Sequence, residues 1–201
     1  MAMQTRILLK CSLVVGVVIL FSSTVIFLTI NFSASNSFTK SASLINSQIL
    51  PRPGLPIRLK IPKINVDTTV ESVGLMSDGT MGVPKGPTNA AWFNLGPRPG
   101  EKGSAVIDGH SGHWKNGAPT VFNNLYKLIK GDKVYVEDNM GETVAFVVRD
   151  SREYDPEADA SDVFGSSDGK AHLNLITCEG TWDKAQKTYS NRLVVFTDKV
   201  Y

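Results

Sequence analysis

The sequence predicts a mainly β domain, a closed barrel or a sandwich with two short helices, set behind one N-terminal membrane-spanning helix. Three observations carry this expectation. Short runs of β-branched and aromatic residues recur between Gly, Pro and Asn; only two stretches carry helical capping signals; and residues 11–30 contain no charged side chain.

The uncharged run is CSLVVGVVILFSSTVIFLTI, Cys11 to Ile30. At about 1.5 Å per residue, a helix of that length spans roughly 30 Å, the thickness of a bilayer core. Arg6 and Lys10 precede it and the next charge is Lys40. The positive-inside rule then places residues 1–10 in the cytoplasm and the rest outside the cell membrane, on a single-pass signal anchor. A cleaved signal peptide is the rival reading, because Ser33-Ala34-Ser35 resembles a cleavage site. Residues 31–53 are rich in Ser and Asn and end in prolines, as expected of a flexible linker. The folded domain is expected over 54–201.

Within it, strands are expected at Ile57–Ile61, Val66–Val73, Ser104–His110, Lys133–Glu137, Thr143–Asp150, Ala171–Cys178 and Arg192–Thr197. Asp138-Asn139-Met140-Gly141 reads as a hairpin loop. One helix is expected from Thr120 to Gly131, with Val121, Leu125, Leu128 and Ile129 as its apolar stripe. A second is expected from Asp155-Pro156 to about Gly165. The net charge of +2, with both signs interspersed, leaves no basic footprint for nucleic acid. No dinucleotide fingerprint or P-loop is present.

Cysteine usage narrows the chemistry. Cys11 lies in the apolar run, so Cys178 is the only thiol of the outer domain. A lone cysteine there is either a small buried hydrophobe or a free reactive thiol. Alternation over Leu173–Cys178 puts Leu173, Leu175 and Thr177 on one face and Asn174, Ile176 and Cys178 on the other. Arg192 begins the next strand, and antiparallel pairing would set it across from Cys178. His110 ends its own strand in Asp108-Gly109-His110-Ser111. A thiol, an imidazole and a guanidinium are the parts of an acyl-transfer site.

Those segments carry a resemblance. Leu175-Ile176-Thr177-Cys178 resembles the nucleophile signature of the sortases, with Asn174 where that pattern most often has Thr. Gly109-His110-Ser111 resembles the family's histidine motif, and Arg192 matches its arginine in spacing and setting. The likeness implies an eight-stranded β-barrel and a two-step transpeptidation needing no cofactor. Cys178 would cleave an LPXTG-like sorting signal between Thr and Gly, and the thioacyl-enzyme would pass to an amine of a cell-wall precursor or a pilin. His110 would move protons, Arg192 would bind the oxyanion, and Thr177 would help shape the substrate groove. Asp78-Gly79-Thr80-Met81-Gly82-Val83-Pro84 and the short C-terminus look most like class E/F members.

Competing readings exist for each residue. His113 competes with His110 from the neighbouring loop, whereas His172 lies six residues before Cys178 and reads as structural or exposed. Some sortases bind calcium, and Glu153, Asp155, Glu157, Asp159 and Asp162 would be the acids for it; a solvated helix start is the plainer account. A membrane-anchored extracellular cysteine peptidase of the papain kind is a second reading, but its Cys precedes its His in sequence. A non-catalytic β-rich surface binding module with an inert thiol is a third.

Overall fold

The structure, a computed structural model, describes residues 52–112, 114, 117–185 and 188–201. The expected anchor and nearly all of the linker lie outside these residues, as does His113. Among the described residues no helix is long and apolar enough to cross a membrane.

Eight strands close into a barrel: β1 (Pro56–Ile61), β2 (Val66–Val73), β3 (Ala90–Phe93), β4 (Gly103–Gly109), β5 (Lys133–Asp138), β6 (Thr143–Tyr154), β7 (Ala171–Asp183) and β8 (Thr188–Lys199). Their order around the barrel is β1-β2-β3-β4-β7-β8-β6-β5. The β2–β3 and β4–β7 pairs are parallel. Pro62 ends β1 and opens a single 3-10 turn, and Asn65 at φ 55° reverses the chain into β2. Asn tolerates that left-handed conformation better than most side chains. At the β5–β6 turn the buried Asp138 accepts the N–H groups of Gly54, Met140 and Glu142, which fastens the start of the domain to the hairpin.

The barrel interior is filled from alternate positions, among them Leu59, Ile61, Ile107, Val134, Phe146, Leu173, Leu175 and Val195. A second cluster of Val106, Val163, Val194 and Phe196 covers the outer face of β4, β7 and β8, with Met81, Phe93 and Ile176 packed against it. These three strands are therefore buried on both faces at mid-length, which explains the unbroken apolar run Leu193–Phe196. Each such side chain contributes about 1.5–3 kcal/mol on burial. The face that carries the site thus rests on a doubly packed support.

Neither expected helix forms at its expected length. Over 123–128 the local hydrogen bonds run from N–H to the carbonyl three residues back, Val121, Phe122 and Gly131 donate to distant carbonyls, and only Leu125–Lys127 is a 3-10 turn. Thr120 caps nothing there, because its hydroxyl donates to Gly112 O. Leu125 and Leu128 are buried, but Ile129 of the supposed stripe is exposed. In the second stretch Asp155 forms an Asx turn with Glu157, and the helix α1 is only Ser161–Phe164. Asn174 explains why that loop stays down: fully buried, it donates to Val163 O at 2.6 Å. The strand β3 escaped the sequence reading, since Ala-Ala-Trp-Phe is too short and too Ala-rich to stand out.

Candidate active site

The register of three strands brings the expected site together. Cys178 of β7 is paired with Arg192 of β8. On the other side of β7 the parallel ladder to β4 ends at the pair Asp108–Ile176. Beyond that point two hydroxyls continue the connection: Thr177 Oγ1 donates to Gly109 O at 2.6 Å, and Ser111 Oγ donates to Cys178 O. His110, between Gly109 and Ser111, is held beside the thiol as a result. A side chain at position 109 is impossible, because its Cβ would fall 2.4 Å from the ring of Phe122.

Each group is held in a defined way. His110 Nε2 lies 2.9 Å from the carbonyl of Pro84, and a carbonyl only accepts, so Nε2 carries the hydrogen and a neutral ring leaves Nδ1 as acceptor. Trp114 packs on the same ring at 4.7 Å between centroids. The Arg192 guanidinium donates to Tyr189 O, Asn191 O and Thr188 Oγ1 at 3.0–3.1 Å. Cys178 is free and half-buried. Burial pushes its thiol above the ordinary value, Arg192 pulls it down, and Asp108 pushes it up. Burial likewise pushes the Asp108 carboxyl up to about 7, against the Gly109 N–H and the Arg192 charge.

The three groups line one cavity of about 570 Å³, together with Ser111, Trp114, Trp182, Thr188 and Tyr189. Its position matches the sequence expectation for Cys178, His110 and Arg192. Thr177 is only 1% exposed and does not line the cavity; its hydroxyl donates to Gly109 O, the residue before His110. His172 sits at the opposite end of β7, buried and bonded through Nδ1 to Asp198 at 2.8 Å and through Nε2 to Asp168 at 3.0 Å. It is structural.

Sequence reasoning missed the supporting residues. Ser111 adjoins His110 and carried a signal only by that adjacency, and Pro84 acts through its backbone. Trp182 and Tyr189 meet edge-on at 5.1 Å where β7 and β8 extend past the expected strand ends. Gly112 has φ 77°, and a Cβ there would fall 2.2 Å from Tyr189 Oη, so that loop turns sharply under the tyrosine. The acidic stretch does not assemble. Asp162 is bonded by Arg152 and Tyr154 and Glu153 by Asn191, and no group of three or more metal-binding side chains occurs among the described residues.

A thiol, an imidazole and a guanidinium on adjoining strands of such a barrel invite comparison with known proteins. Comparison with curated protein sequences gives no match. Among solved structures, Streptococcus agalactiae sortase C1 in complex with MTSET is 23% identical at TM-score 0.56, over 73% of this chain and 69% of that one. Sortase C-1 from Actinomyces oris is 24% identical at TM-score 0.54, over 80% and 81%. A lid mutant of sortase A from Corynebacterium diphtheriae is 24% identical at TM-score 0.56, over 84% and 81%. At these identities the likeness establishes the fold. The sortase domain model matches residues 59–200, from within β1 past the end of β8. The chain belongs to the sortase family, whose members are cysteine transpeptidases.

Proposed function

We propose that the enzyme cleaves an LPXTG-like sorting signal between Thr and Gly and transfers the upstream protein to an amine of a cell-wall precursor or a pilin subunit. The observation that carries this reading is the single cavity shared by Cys178, Arg192 and His110. At rest the thiol keeps its proton. Cys178 Sγ attacks the Thr carbonyl carbon while His110 takes the thiol proton, and Arg192 stabilises the oxyanion. His110 then gives that proton to the Gly nitrogen as the C–N bond breaks, leaving a thioester. An incoming amine attacks the thioester and loses a proton to His110, the C–S bond breaks, and the departing Cys178 sulfur takes that proton from His110.

The Arg192 donors now spent on Thr188, Tyr189 and Asn191 become available if a substrate carbonyl replaces one of those acceptors. The apolar run Cys11–Ile30 supports placing the enzyme on a single-pass membrane anchor with the barrel outside the cell. The segment Asp78–Pro84 supports a class E/F assignment.

The test uses the full chain in detergent with a panel of LPXTG-like peptides and candidate amines, read by mass spectrometry. A peptide-sized thioacyl adduct on Cys178 is expected, and Cys178→Ala should abolish cleavage while the barrel stays folded. Cleavage by the alanine variant would overturn the mechanism. Adducts resolved only by water would favour the peptidase reading.

A further inference from the structure

Asp108 has no part in the chemistry above, yet it shares a sheet face with the catalytic row. It lies two residues before His110 on β4 and is paired with Ile176 on β7 and with Ala91 on β3. Ile176 is two residues before Cys178, so the carboxyl shares the outer face of the sheet with the thiol. The other elements around it supply few charges. β3 is Ala-Ala-Trp-Phe and has no titratable group, and Glu71 of β2 is in register with Ala91. β7 supplies Cys178, and β8 supplies Arg192 with Tyr154 of β6 beside it in register. α1 carries Asp162, which is bonded by Arg152 and Tyr154, and His110 follows the end of β4. Asp78 and Lys85 of the β2–β3 connection are exposed, and the buried part of that connection is Pro84.

We propose that Asp108 is a positioning residue for the transpeptidation: a carboxylate two residue pairs below the Cys178–Arg192 row, on the same sheet face, whose charge governs how readily Cys178 reacts. Its ionised form disfavours a second negative charge on the sulfur and offsets the attraction of Arg192. The two acids are therefore coupled, and the thiol ionises less readily once Asp108 has lost its proton. Asp108 itself titrates near neutrality, where it is pushed up to about 7, so the restraint switches on within the working pH range. The consequence is a nucleophile kept protonated at rest and released when a substrate or His110 alters the local charge. This inference rests on Cys178 being the nucleophile, but its test needs no peptide substrate.

The experiment measures the rate of Cys178 alkylation by iodoacetamide against pH in the full chain. Mass spectrometry of the Cys178 peptide separates it from Cys11. In wild type, the logarithm of the rate should rise with pH, bend near pH 7 and then rise more slowly. Asp108→Asn should remove the bend and react about three- to tenfold faster between pH 7 and 8, the size expected for one charge at this range in a partly screened site. Asp108→Glu should keep the bend. An equal or slower rate in the Asn variant overturns the proposal, as does a Glu variant that behaves like Asn. If the Asn variant does not fold, the wild-type curve decides, and a straight line through pH 7 refutes the coupling. Peptide cleavage with an unaltered alkylation profile would remove this inference alone. A shifted profile without peptide cleavage would remove the sorting-signal reading instead.

Discussion

The two ends of the β4–β7–β8 face hold two histidines with opposite fates. At one end Ser104, His172 and Asp198 are neighbours in register; at the other are the end of β4, Cys178 and Arg192. His172 is buried with a carboxylate on each ring nitrogen, and Asp198 is bonded in turn by Arg149 at 3.1 Å. With both ring nitrogens engaged, this histidine is fixed as part of a polar clasp. His110 has one fixed partner, the Pro84 carbonyl, and borders a cavity. Satisfied polarity makes the first histidine inert. The unmet nitrogen of the second leaves it able to exchange a proton.

The largest effects should come from the open end. His110→Ala and Arg192→Ala should each lower kcat/KM for peptide cleavage at least about a hundredfold with little change in thermal stability. Arg192→Lys should recover little, because an ammonium cannot reach Thr188, Tyr189 and Asn191 acceptors with a planar fork and still serve an oxyanion. If His113→Ala is inactive while His110→Ala still cleaves, the contrast between the two ends loses its catalytic member.

The closed end should respond in the opposite way. His172→Ala removes the ring's bonds to Asp168 and Asp198 and should cost about 2 kcal/mol of stability by urea unfolding. Its kcat/KM, measured well below the melting transition, should remain within about threefold of wild type, as expected for a group that acts only in the ground-state fold. A hundredfold loss of activity with unchanged stability would mean that the two ends are chemically coupled.

The same comparison shows what was legible in the sequence. Alternation along Leu173–Cys178 and the spacing to Arg192 were enough to foresee the Cys178–Arg192 pair, because strand geometry converts spacing into facing positions. His110 was legible through its motif. Alternation assigned Thr177 correctly to the inner face, where its hydroxyl holds Gly109, while its part in shaping a substrate groove came from the resemblance alone. The helix expected over 120–131 failed because its apolar spacing is also satisfied by consecutive tight turns packed on the core. Ser111, Pro84 and the Trp182–Tyr189 pair act through tertiary approach of distant segments, which no local pattern encodes. The polar clasp was invisible for the same reason: Asp198 is twenty-six residues from His172.

The smallest predicted effect concerns Asp108, which lies between the two ends in character: half-buried like the site, yet with a displaced titration. Burial raises its carboxyl from an ordinary 3.8 to about 7 in the folded protein. Between those values the unfolded chain has lost the proton that the folded chain retains. Stability must therefore fall as pH rises through this window, being fully present below about 4 and lost once pH passes about 7. This is the reverse of the ordinary salt-bridged carboxylate, whose contribution disappears in acid. Solvent access to a half-buried group and the attraction of Arg192 both reduce the slope, so the effect is modest. Urea midpoints of wild type and Asp108→Asn across pH 4.5–8 give it by difference, which cancels every other titrating group. The wild-type curve should decline more steeply with pH than the variant's. Parallel curves would show that the carboxyl ionises at no cost to the fold, and that its setting beneath Cys178 is wetter than the barrel face implies.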